Sequence, residues 1–123
     1  MVTTAEMLKK VLAELGVAVD VEASAIISRD GLIMASDVPP GVHAETFAAM
    51  NATMLEAAEI ATSQLKKSVP DTLIIEYKEG RLIVISAGPK ALLVVMTDPK
   101  TRLGLVLVKM GEAAEKVKRI VEG

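Results

Sequence analysis

Asp30 and His43 are the first candidates for chemistry, because a carboxylate and an imidazole are common groups for acid–base catalysis. Asp30 precedes Gly31, and His43 is the single histidine, two residues before Glu45. Asp-Gly is also what a type I′ hairpin turn requires, and a His-x-Glu spacing does not place both groups on one helix face. We expect Asp30 to serve a turn and His43 to lie exposed at a helix start. The competing interpretation is an enzyme that uses Asp30, His43 and a nearby carboxylate.

Other motifs of catalytic and cofactor sites do not occur. No serine lies in a Gly-x-Ser-x-Gly frame, and no Gly-x4-Gly-Lys-Ser/Thr loop is present, although Gly88 is followed by Pro89 and Lys90. The chain has no cysteine, which excludes thiolate nucleophiles, disulfides and cysteine-based metal sites. We therefore expect no catalytic residue, no cofactor and no metal, which favours a binding or scaffold protein.

Composition restricts the partners. Fourteen basic and sixteen acidic residues give a net charge of −2, which lacks the basic footprint of duplex-binding proteins. Phe47 and Tyr77 are the only aromatic residues, so stacking platforms for single strands are missing. We expect no nucleic acid partner. No apolar run approaches the ~20 residues that span a bilayer, and the absence of cysteine fits a reducing compartment. The expectation is a soluble cytoplasmic protein without membrane insertion.

The elements that must position any site follow from apolar spacing and turn residues. Thr3 and Glu6 have the spacing of a capping box, and Gly16 ends the apolar period that follows. The Asp-Gly pair predicts a hairpin. The predicted elements are a helix at 3–16, strands at 23–28 and 32–36, a helix at 43–66, strands at 72–77, 81–86 and 91–97, and a helix at 103–121.

This order, αββαβββα, predicts one α+β domain over residues 1–123, with a five-stranded antiparallel sheet and helices on both faces. Residues 92–96 are continuously apolar, as in a central strand that is covered on both sides. The second helix is apolar over more than one face, since one stripe carries Met50 and Met54, Leu55 lies on its flank and Ile60 on the far side. One sheet cannot bury all of these residues. With a mean hydropathy of +0.43, we expect an oligomer.

Four stretches together resemble the roadblock (dynein light chain, Roadblock/LC7) domain family, in its prokaryotic form, and cover nearly the whole chain. They are the hairpin 24–36, the alanine-rich segment 45–52, the segment 74–77 followed by Gly80, and the segment 103–106 at the start of the last helix. The resemblance implies a profilin-like fold with the last strand central and the third strand at an edge. Family members are homodimeric or heterodimeric scaffolds and regulators of Ras-like small GTPases.

The resemblance also implies how two copies would associate. Two third strands pair across a twofold axis and extend the sheet, and the second helices pack against each other. The partner is a second copy or a related roadblock subunit. The third strand combines high β propensity with low charge, an aggregation liability unless it is paired. The expected interface residues are Ala48, Asn51, Ala52, Leu55, Glu59, Thr72, Leu73, Ile74, Ile75, Glu76 and Tyr77.

The sequence thus favours a non-catalytic homodimeric regulatory scaffold that binds a Ras-like small GTPase and modulates its nucleotide cycle or localisation. Such a regulator needs no catalytic side chain, only different affinities for the two GTPase states. The alternative is a small-ligand sensory module of profilin-like fold, because methionines form adaptable apolar pockets. The methionines that would line such a pocket are Met34, Met50, Met54, Met96 and Met110.

Overall fold

The computed structural model describes residues 1–123 and confirms the predicted order of elements. The elements are α1 (Thr4–Ala18), β1 (Ala23–Ser28), β2 (Ile33–Asp37), α2 (Ala44–Gln64), β3 (Thr72–Tyr77), β4 (Gly80–Ser86), β5 (Ala91–Thr97) and α3 (Leu103–Glu122). The five strands form one antiparallel sheet in the order β2-β1-β5-β4-β3, so β5 is central and β3 lies at an edge, as expected.

Helices cover both faces of the sheet. α1 and α3 pack together on one face, where Leu93 and Val95 of β5 join their core. α2 lies on the other face, over Leu92 and Val94 of the same strand. All four β5 side chains are at most 1% exposed, which explains why the central strand is apolar at successive positions.

The first helix continues two residues past its predicted end. Thr3 caps it as expected, since the Glu6 amide donates to Thr3 Oγ1 at 3.1 Å. Gly16 lies on the exposed side of α1, and a Cβ at this position would have no neighbouring atom within 4 Å, so the glycine lowers helix propensity without breaking the packing. The helix ends where Val19 becomes extended, at φ −141°, and buries its side chain.

The hairpin between β1 and β2 is confirmed, but its turn is not type I′. That turn needs positive φ at both central residues, and Gly31 alone in the loop has positive φ, at 87°. Gly31 N donates to Ser28 O at 3.0 Å, and Ser28 N donates to Leu32 O at 2.8 Å. These bonds define a three-residue loop in which glycine takes the left-handed position. The longer loop places Arg29 at one end of the sheet.

Candidate interaction surface

The sheet-facing side of α2 is made of small and medium side chains at helical spacing. Ala48, Asn51, Ala52 and Leu55 are each at most 7% exposed. Asn51 is bound within its own helix, where its side-chain amide donates to Phe47 O at 2.7 Å while Oδ1 has no partner. These four side chains are already buried inside their own chain, so they offer little surface to a partner, and their assignment to a dimer interface stays a prediction.

The opposite face of α2 is exposed and apolar. Met50 is 53% exposed and Ile60 is 55% exposed, and Ala57 and Ala61 are also exposed. At ~100° per residue, these positions point away from Ala48 by roughly a third to a half turn. The helix is thus apolar on more than one face, as the sequence predicts, but Met50 and Ile60 lie on the same exposed side rather than on opposite sides. Only this exposed face of α2 is available to a partner.

The two edges of the sheet differ in how open they are to another strand. β2 has five residues, and its pairing with β1 shifts register between Ile26 and Ile27. Pro39 and Pro40 follow soon after its end. Short strands, bulges and prolines discourage further pairing at a sheet edge, so the β2 edge is protected.

The β3 edge has no bulge, although Pro70 lies two residues before the strand. All six residues pair with β4 without a register shift, and their outward backbone groups have no neighbouring strand. Ile74 is 38% exposed, and Leu73 and Ile75 are partly exposed. A regular strand of this kind, with a single charged residue, is open to pairing with another strand.

Two of the three polar side chains of β3 have partners within the chain. The Thr72 hydroxyl donates to Asp71 Oδ1 at 3.1 Å. Glu76 lies opposite Arg81, with Glu76 Oε1 at 3.8 Å from Arg81 Nε. The Tyr77 hydroxyl is buried without a hydrogen-bond partner. Burial raises the pKa of the Tyr77 phenol, and the charges of two nearby glutamates raise that pKa further.

Glu59, the remaining predicted interface residue, is engaged inside the chain. Its Oε2 accepts a hydrogen bond from Arg29 Nη1 at 3.1 Å, and both side chains are partly buried. This ion pair joins α2 to the β1–β2 loop across 30 positions of sequence. The sequence carries no local signal for it, since each residue alone has the pattern of a solvated surface charge.

A family model for the Roadblock/LC7 domain matches residues 7–97, which include α2 and all five strands. The chain belongs to the Roadblock/LC7 domain family. An uncharacterised protein of Methanocaldococcus jannaschii is 38% identical over 112 residues, which are 91% of this chain and 94% of that protein. The structure of the gliding protein MglB from Thermus thermophilus has a TM-score of 0.90 at 25% identity, with 99% of this chain and 93% of that chain covered.

The profilin-like fold is also confirmed. Acanthamoeba castellanii profilin II has a TM-score of 0.58 at 17% identity, with 80% of this chain and 86% of that chain covered. At that identity the likeness concerns the fold alone.

Asp30 and His43, the two candidates for acid–base catalysis, lie in different elements of this Roadblock/LC7 domain. Asp30 is in the hairpin loop, and exposed His43 is the N-cap residue of α2, where its side chain makes no capping hydrogen bond. No three His, Asp or Glu side chains converge as metal ligands. None of the three helices combines the length and the apolar character that a bilayer crossing requires.

The structure does not bring the methionines into one pocket. Met110 is buried on the α1–α3 side of the sheet and Met34 packs against the same cluster, whereas Met50 and Met54 belong to α2 on the other side. The groove between α1 and α3 has a volume of about 190 Å³, and half of its lining residues are charged. A larger cleft of about 500 Å³ at the C-terminal end of α3 has no apolar lining residue. These features do not favour the small-ligand sensor, since ligand pockets are lined mainly by apolar residues.

Proposed function

We propose that this Roadblock/LC7 domain is a non-catalytic homodimeric regulatory scaffold that binds a Ras-like small GTPase and modulates its nucleotide cycle or localisation. The observation that carries the proposal is the open, regular and apolar edge of β3, which stands in contrast to the protected edge of β2. A small domain that keeps such an edge exposed is prone to aggregation. Pairing with a second copy removes that liability.

In the proposed dimer, two β3 strands pair across a twofold axis and join the two sheets. The strand part of the interface is Thr72–Tyr77, as the sequence predicts. For the helix part, the exposed face of α2 with Met50, Ala57, Ile60 and Ala61 takes the place of the buried face. Because the interface is isologous, both copies contribute each of these residues, so one substitution changes the interface at two places.

The GTPase part of the proposal is supported by family membership, since Roadblock/LC7 proteins include regulators of Ras-like GTPases. The similarity to MglB over nearly the whole chain adds support. The mechanism we propose is a preference for one nucleotide state of the GTPase. A partner that contacts the switch segments more favourably in one state shifts the equilibrium toward that state.

The test is native mass spectrometry of the tagged protein recovered from its own host. We expect a species near 26 kDa, twice the 13.0 kDa chain, and a larger species that adds a nucleotide-carrying subunit of about Ras size. A lone 13.0 kDa species would contradict the homodimer. If the GDP form and the GTP form of the recovered GTPase bind the domain with equal affinity, modulation of the nucleotide cycle is contradicted. The domain would then serve only to localise the GTPase.

A further inference from the structure

Arg29, in the β1–β2 loop, binds three acceptors at one end of the sheet. Its Nη1 donates to Glu59 Oε2 at 3.1 Å. Its Nη2 donates to Ser86 Oγ at 2.8 Å and to Gly88 O at 3.3 Å. The Arg29 side chain is 33% exposed and that of Glu59 is 26% exposed, so the group lies partly inside the protein, where charge-assisted hydrogen bonds are stronger than at a fully exposed surface.

These acceptors lie on α2 and at the turn between β4 and β5, which adjoins the residue before β3. Glu59 is in the last third of α2, and Ser86 ends β4. The Ser86 amide also donates to the carbonyl of Asp71 at 2.8 Å, the residue immediately before β3. A single guanidinium group therefore contacts the last third of α2 directly and is linked through Ser86 to the residue that precedes β3.

The C-terminal part of α2 has no other polar link to the rest of the chain. Its apolar packing ends at Leu55, the last fully buried residue of the helix. Apart from Thr62, residues 60–69 are exposed. Glu59 is the only α2 side chain that hydrogen-bonds to another element. The others, Asn51, Thr53, Thr62 and Ser63, donate to carbonyls of α2 itself.

We propose that Arg29 is a positioning residue that fixes the exposed face of α2 relative to the β3 edge. The inference rests on the proposed function, because those two surfaces form the proposed dimer interface. Neither surface includes Arg29. Its effect on association is transmitted by the angle and rigidity of α2 beyond Leu55. The partner surface is then preorganised, which lowers the entropic cost of binding.

Arginine is specifically suited to this position. The planar guanidinium presents its donors in a fixed fork, so Nη1 and Nη2 bind acceptors on different elements at once. A lysine reaches one such acceptor as a compact point charge and cannot reproduce the fork. We therefore expect Arg29→Lys to keep the ion pair with Glu59 and to restore part of what Arg29→Met removes.

Hydrogen exchange of the full chain tests the positioning role directly. In Arg29→Met we expect the amides of residues 60–64 to exchange about tenfold faster, because a lost charge-assisted hydrogen bond lowers the local opening free energy. The amides of α1 and α3 should be unchanged. Glu59→Gln, which keeps the shape of the side chain, should give the same pattern. Lys109→Met is the matched control, since it removes an exposed ion pair with Glu112 on α3.

The dimer dissociation constant, measured by sedimentation for folded variants, tests the link to association. We expect Arg29→Met and Glu59→Gln to weaken the dimer by about tenfold, Arg29→Lys by less, and Lys109→Met not at all. Unchanged or uniformly faster exchange would overturn the positioning role. Faster exchange confined to residues 60–64 with an unchanged dissociation constant would overturn the link to the interface. A monomeric wild type would refute the proposed homodimer, and with it that link, while the exchange pattern would still decide the positioning role.

Discussion

Replacing Ile74 by aspartate tests the β3 edge as the surface that joins two copies. Ile74 lies in the middle of β3, opposite Ile83 of β4. Pairing of two β3 strands would cover the 38% of Ile74 that is exposed in the single chain. In an isologous interface the substitution acts twice, once in each copy.

The expected loss of affinity follows from the exposed fraction. Complete burial of an isoleucine side chain contributes about 1.5–3 kcal/mol, so the exposed 38% is worth about 0.6–1.1 kcal/mol per copy. For two copies this becomes about 1.1–2.3 kcal/mol, or roughly 7- to 50-fold in the dissociation constant. Two carboxylates that lose water near the twofold axis add a desolvation cost and mutual repulsion. We expect Ile74→Asp to weaken the dimer by about 100-fold or more.

Sedimentation velocity over a concentration series measures the effect. Most of Ile74 is already covered in the single chain, so aspartate at this position also costs folding stability. Ile74→Thr therefore serves as a second variant, since it keeps a β-branched side chain that suits a strand. Val108→Asp is the matched control. It places the same charge at an exposed apolar residue, 59% exposed, on the α3 side of the sheet.

The β3 interface is refuted if Ile74→Asp stays dimeric at concentrations where the wild type is dimeric. An equal effect of Val108→Asp would also refute it, since the loss would then come from net charge rather than from the β3 edge.

Three other substitutions test local features of the structure. Gly31→Ala should cost roughly 2 kcal/mol or more in urea unfolding, because Gly31 has φ 87° and a Cβ there would lie 2.9 Å from a backbone atom of α2. Tyr77→Phe removes a hydroxyl that is buried without a partner, so we expect the free energy of unfolding to stay unchanged or to rise by up to about 1 kcal/mol. A clear loss of unfolding free energy in the dimer would show that the second copy hydrogen-bonds to this hydroxyl. Hydrogen bonds from the backbone amides of Lys100 and Thr101 lower the pKa of Asp98 from its ordinary value of 3.8. That stabilisation is therefore present above about pH 4 and is lost as pH falls through the lower folded-state pKa, and Asp98→Asn should flatten the acid side of the stability profile in thermal unfolding.

The sequence alone predicts the elements because each is defined by local rules. β3 and β5 begin and end at the predicted residues, since turn residues lie on both sides of each apolar run. The long apolar run of β5 also predicts its central place in the sheet, because such a strand must be covered on both faces. Local rules fail where packing decides instead. The first helix passes Gly16 because Val19 is held in the core, and the Asp-Gly turn takes a three-residue form with one left-handed glycine.

Only the tertiary structure decides which face of α2 is free. The helix is apolar on two faces, and its period does not distinguish them. The face with Ala48, Ala52 and Leu55 is buried against the sheet, and the face with Met50 and Ile60 remains exposed. The contact of Arg29 with Glu59 is likewise not predicted by any local pattern, because the two residues are 30 positions apart. They meet only because the hairpin and α2 reach the same end of the sheet. Sequence periodicity reports how many apolar faces a helix has, whereas the choice among them depends on the shape of what lies opposite.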